Sequence, residues 1–139
     1  MKIFSFAVLC LAATAASQTY TLTDFGTQCG GDLQGQIVTA PGGTGIRLGV
    51  TGAHRNTITV LVIGHPQAAP VQLPGSACLL LVDPRAMLHE LTSPSGTAGF
   101  GFRLPPIVPI TIDFQAVIVG HAASGRVFES TDGVHLVGV

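Results

Sequence analysis

The feature that most restricts this chain is a two-residue period, broken by turn residues about every ten positions. Ile46, Leu48 and Val50 alternate with Arg47, Gly49 and Thr51. Ala98, Phe100, Phe102 and Leu104 alternate with Gly99, Gly101 and Arg103, and Ile112, Phe114, Ala116 and Ile118 stand opposite Val117 and Val119. Successive side chains of an extended strand point to opposite faces, so this spacing gives strands with one face buried. No helical stripe of useful length follows Gln18.

Other stretches extend the pattern. Thr19–Phe25 alternates weakly, Gln36–Ala40 is a short strand candidate, and Pro41-Gly42-Gly43 is a loop. Thr57–Gly64 is apolar on both faces and rich in β-branched residues, which suits a central strand. Cys78 opens the run Leu79-Leu80-Leu81-Val82, bounded by Pro74-Gly75 and Asp83-Pro84, and this reads as a strand buried on both faces. Pro66, Pro70 and Pro74 make His65–Leu73 a loop or ragged edge. Ala86–Leu91 and Arg126–Glu129 are further short strands, His121–Gly125 a turn, and Asp132-Gly133 a hairpin signal before Val134–Val139. Gly99 and Gly101 are expected to admit a close neighbour. The sum is an all-β fold, a β-sandwich or jelly-roll-like arrangement of eight to ten short, mainly antiparallel strands.

The first stretch stands outside that pattern. Lys2 supplies a positive end, Ile3–Ala13 an apolar core and Thr14–Ser17 a small-residue cleavage region. Residues 1–17 therefore read as a secretory signal peptide, too short in its apolar part to span a bilayer, with a single domain over 18–139. Its removal takes away Lys2, the sole lysine, and leaves five scattered arginines against seven acids. Scattered arginines offer no basic stripe, which argues against nucleic acid as a partner. Charged residues form 9% of the chain, against roughly 25% in ordinary globular proteins. Either the surface is rich in neutral polar groups or something covers part of it. In an exported chain the two remaining cysteines, Cys29 and Cys78, read most simply as one disulfide, with a pair of buried thiols as the alternative.

In order, FGTQCGG (Phe25–Gly31), TVLVIG (Thr59–Gly64), LPGSACLLLVDP (Leu73–Pro84), SPSGTAGFGFRLP (Ser93–Pro105), DFQAVIV (Asp113–Val119) and STDGVHLVGV (Ser130–Val139) resemble a family of exported β-sandwich domains abundant in planctomycete-type secreted proteins. The resemblance covers nearly all of 25–139. It implies an exported sandwich whose two cysteines occupy a Gly-Thr-x-Cys turn and a strand start, matching Cys29 and Cys78. It implies no defined activity.

The residues themselves point away from catalysis. A serine nucleophile sits on a strand-to-helix elbow, and neither Gly75-Ser76 nor Ser124-Gly125 is followed by a helix. The two glutamates, Glu90 and Glu129, with Asp113 beside them, offer the only carboxylate pairing for glycoside chemistry. The histidines His54, His65, His89, His121 and His135 show no ligand spacing, although His65 and His121 follow matching strand ends and could meet across strands. Asp83, Asp113 and Asp132 lack the dense spacing of a calcium loop. No metal and no cofactor is assigned. Carbohydrate sites of sandwiches usually present exposed aromatic rings, but the chain has no tryptophan and one tyrosine, Tyr20.

The expectation is a non-enzymatic structural or interaction module, secreted or held at the cell surface, without a transmembrane segment. Its partner is itself, as a homo-oligomer, or another extracellular protein. The alternative is an extracellular module binding carbohydrate or calcium. The candidate interface is the final strand, where Val134, Leu136, Val137 and Val139 place aliphatic side chains on both faces and no lysine or proline blunts an edge; the alternative is that Val134–Val139 pairs within its own sheet and is covered on both faces.

Overall fold

Alternating apolar residues become strands because one face of each can be buried against a second layer. A computed structural model describes residues 18–122 and 125–139, so the expected signal peptide and Ser124 lie outside the described residues. Eight strands follow in order: β1 (Tyr20–Phe25), β2 (Asp32–Ala40), β3 (Gly43–Thr51), β4 (Ile58–Gln72), β5 (Leu79–Leu91), β6 (Ala98–Arg103), β7 (Ile110–Ala122) and β8 (Gly125–Gly138). They form a β-sandwich. One sheet has five strands in the order β1-β8-β7-β4-β5, the other three in the order β2-β3-β6. Every pairing between named strands is antiparallel.

The core lies between the sheets. Leu33, Ile46, Leu48, Val50 and Phe100 from the small sheet meet Leu61, Phe114, Ala116, Ile118, Val134 and Leu136 from the large one. Fully burying such a side chain is worth roughly 1.5–3 kcal/mol. Phe102 and Phe114 join the layers with ring centroids 5.6 Å apart, an aromatic contact adding about 0.5–1.5 kcal/mol. Asp132 adds a polar tie across the layers, its Oδ1 accepting the Leu33 N–H at 3.0 Å. Burial pushes this carboxyl above the ordinary aspartate range; the Leu33 bond pulls it down, and nearby Asp32 and Asp24 push it up again.

Three local expectations give way to tertiary structure. Asp132-Gly133 makes no hairpin, because β8 runs through it unbroken. Gly133 is there for space: a Cβ at this position would collide with the Phe25 ring packed on it. Asp83-Pro84 does not end a strand either. β5 passes through it, with a register shift where Gly64 pairs with Pro84 and Ile63 with Ala86. An edge position and a bulge are the two places where a sheet tolerates proline. Lastly, Gly99 and Gly101 face away from the core. A Cβ on Gly99 would meet nothing within 4 Å, and one on Gly101 only ordinary contacts.

Candidate functional site

The strand-rich stretch around Cys78 is the head of a long hairpin, and its position is set by polar groups on the large sheet. β4 pairs with β7 only from Thr59 to Gly64. Beyond a register shift between Pro66 and Val71, β4 pairs with the start of β5 at Val71↔Leu80 and Gln72↔Leu79. The proline-bearing stretch is thus strand with an irregular centre. This part of the hairpin folds over the outer face of the large sheet. Gln115 of β7, fully buried, donates from Nε2 to the carbonyls of Leu79 and Thr131, both at 2.9 Å, and accepts the Leu81 N–H at 2.7 Å. Ser130 Oγ donates to the same Leu79 carbonyl at 3.1 Å. An amide can meet three backbone groups at once, and a buried one must meet them or lose stability.

The disulfide completes the anchor. Cys29 and Cys78 are bonded with Cα atoms 5.5 Å apart. Cys29 is tied by paired backbone bonds to Ser130 of β8, so the bridge holds the head of β5 against the middle of the sheet. β5 itself is an edge strand, however. The expectation that Leu79–Val82 is buried on both faces is therefore corrected: Val82 is fully buried, Leu80 and Leu81 are half-buried, and Leu79 is exposed. Val62, Leu73, Cys78 and Val82 are buried outside the main core, and Val62 stands opposite Gln115 on the face the hairpin covers.

Past the anchored head, β5 becomes an open edge. Ala86–Leu91 pairs with Ile58–Ile63 on one side and, among the described residues, with no strand on the other. Every residue from Pro84 to Leu91 is exposed. Met87 at 62% and Leu91 at 70% relative exposure are large apolar groups in water, with Leu88 and Ile58 beside them. Arg85 lies at the near end, paired with Asp83 at 3.0 Å. Between Met87 and Leu91 no proline, lysine or bulge interrupts the row of free backbone groups.

The final strand is a different matter. Its Gly133–Gly138 part lies between β1 and β7, paired on both sides, so the stretch expected to be an edge is not one. Val134 and Leu136 are fully buried in the core and Val137 is half-buried on the outer face; only Val139 is well exposed. The expectation of an edge here fails because pairing partners come from residues far away in the chain.

The remaining sequence candidates are scattered. Glu90 and Glu129 fall on one transverse row, Glu90↔Thr59↔Ile118↔Glu129. Three strand steps place them roughly 14 Å apart, too far for a glycosidase pair. His65 and His121 lie beyond opposite ends of the β4–β7 ladder, roughly 30 Å apart at 3.3 Å per residue. Asp83 is taken by Arg85, Asp113 by His135, and Asp132 by the Leu33 amide. Ser76 accepts the Cys78 amide within the hairpin tip. Comparison with protein-family models, curated proteins and solved structures finds no match for this chain.

Proposed function

We propose that this protein is a non-catalytic structural module of the cell exterior that assembles with copies of itself through the β5 edge. The observation that carries the reading is the open stretch Ala86–Leu91, which exposes Met87, Leu88 and Leu91 and carries Glu90 as its one carboxylate. An edge strand presents unpaired N–H and C=O groups and is ordinarily guarded by charge, proline or a bulge. The second copy is its natural occupant on grounds of self-complementarity. Antiparallel pairing about a two-fold axis through Leu88 sets Leu88 against its own copy, Met87 against His89 and Ala86 against Glu90, with no like charges opposed. Such an isologous contact closes on itself and joins two five-stranded sheets into one. The sequence features read as an export signal, and the low charge of the chain, agree with a surface meant to be covered.

The test is solution mass against concentration. Wild-type protein should form dimers, whereas Leu88→Lys should be monomeric and melt as the wild type does at dilutions where it is a monomer, because the side chain is exposed in the single chain. Thr21→Lys on the opposite edge serves as control and should dimerise as wild type does. A wild type that stays monomeric at the highest attainable concentration, or a Leu88→Lys variant that still dimerises, overturns the reading.

A further inference from the structure

At the end of the sandwich, the loop between β3 and β4 is held with more care than a connection needs. The His54 carbonyl accepts the hydroxyls of both Thr92, itself buried, and Thr57. Thr92 Oγ1 in turn accepts the Thr57 N–H at 2.9 Å, and the Ala53 N–H bonds to the Gly96 carbonyl at 3.1 Å. Asn56, the one non-glycine residue with left-handed backbone among those described (φ 53°), turns the chain between His54 and β4. The His54 ring lies on Gly120, where a Cβ would sit 2.7 Å from Cδ2, and its Nε2 meets a Glu129 carboxylate oxygen at 3.2 Å.

This scaffolding borders an open cavity of about 480 Å³, whose lining includes His54, Arg55, Ser95 and His121. Glu129, against which His54 is fixed, is not part of that lining. Arg55 is exposed and meets no carboxylate among the described residues. With Nε2 held beside Glu129, Nδ1 is the polar atom of the ring left for a ligand. The loop carrying Ser95 is a hydroxyl cluster: Ser93 Oγ lies 2.8 Å from Ser95 Oγ and 2.7 Å from Thr97 Oγ1.

We infer that this cavity binds an acidic saccharide unit. A guanidinium takes a carboxylate or sulfate in a two-pronged contact. The imidazole nitrogen and a serine hydroxyl in the same lining suit the hydroxyls of the same sugar ring, since a sugar hydroxyl can donate or accept. The lining therefore asks for one anionic group and several hydroxyls on one small ligand, and the rigid loop removes much of the ordering cost of binding it. The site is separate from the β5 edge and stands whether or not the protein dimerises.

The experiment is an amide NMR titration of the mature protein with glucuronate, N-acetylglucosamine 6-sulfate, glucose and inorganic sulfate. Saturable shifts are expected around Ala53–Thr57 and Ser93–Gly96 with one or both acidic sugars; which of them binds tells carboxylate from sulfate. Arg55→Gln should weaken binding at least tenfold with an unchanged melting temperature, while Arg47→Gln on the small sheet should leave it unaltered. Absence of shifts with both acidic sugars overturns the inference. So does glucose binding equally well, which removes the anion, or sulfate binding equally well, which removes the sugar. Unchanged affinity in Arg55→Gln likewise rejects it.

Discussion

The two edges of the large sheet have the same backbone problem and opposite side chains. β1 is six residues long and exposes Thr21, Thr23 and Asp24. Its start is tied down as well: Gln18 donates to the Pro106 carbonyl, and the Tyr20 hydroxyl to the Pro105 carbonyl at 3.0 Å. β5 runs for thirteen residues and exposes Met87, Leu88 and Leu91. One edge is short and hydroxylated, with its start fastened to Pro105 and Pro106; the other is long and, although it carries Pro84, Arg85 and Glu90, exposes three large apolar side chains. The contrast shows that an open edge becomes an interface or a boundary through its side chains, since the free backbone groups are alike. It also shows how β5 tolerates exposure, because its head is fastened over the sheet by the disulfide and Gln115.

The strongest way to break the contrast is to unfasten that head. Cys29→Ser with Cys78→Ser opens a link spanning 49 residues, and chemical denaturation should show a loss of about 4 kcal/mol on the chain-entropy account. Hydrogen exchange should rise most at Leu79–Val82 and least at Thr21–Thr23. Equal rises at both edges would mean that the bridge supports the whole sandwich rather than β5.

Gln115→Leu comes next. It preserves bulk but strands the Thr131 carbonyl and the Leu81 amide, while the Leu79 carbonyl keeps the Ser130 hydroxyl, so a loss of about 2–3 kcal/mol is expected from the denaturation midpoint. Dimer formation should persist, because Ala86–Leu91 is held to β4 independently of Gln115. A smaller effect separates the edges directly. Replacing Met87 and Leu88 by threonine gives β5 the character of β1, and sedimentation should show monomers while stability stays within about 0.5 kcal/mol.

The smallest effect concerns pH and is carried by Asp132 of β8, with Asp24 of β1 contributing. The Asp132 carboxyl is raised in the fold chiefly by burial, with Asp32 and Asp24 adding to it. The folded state thus holds this proton more tightly than the unfolded chain does. Its contribution to stability is full below the ordinary aspartate value, falls as pH rises through the raised folded value, and is level above it. Asp132→Asn keeps an oxygen for the Leu33 amide and should abolish that fall. Asp24→Asn, at the β1 edge, should only reduce it. Urea midpoints measured from acid to neutral pH check both.

Much of this architecture is legible in the residues alone. The alternation at Ile46–Val50, Ala98–Leu104 and Ile112–Ile118 assigns the core faces, because a strand has a period of two whatever it pairs with. The cysteine pair follows from counting. The sequence could not say which strands stand at the edges. Leu79–Val82 looks interior, and Val134–Val139 looks like an edge, yet the fold reverses both, since strand order depends on distant partners in pairs such as Leu61↔Leu88 and Thr21↔Val137. The cavity beside His54 was equally invisible, because the residues that hold its loop, Thr92, Gly96, Gly120 and Glu129, come from three separate segments. Local pattern determined what each strand buries; only tertiary pairing decided what each strand leaves open, because an edge is defined by the neighbour that is absent and no residue carries that information in itself.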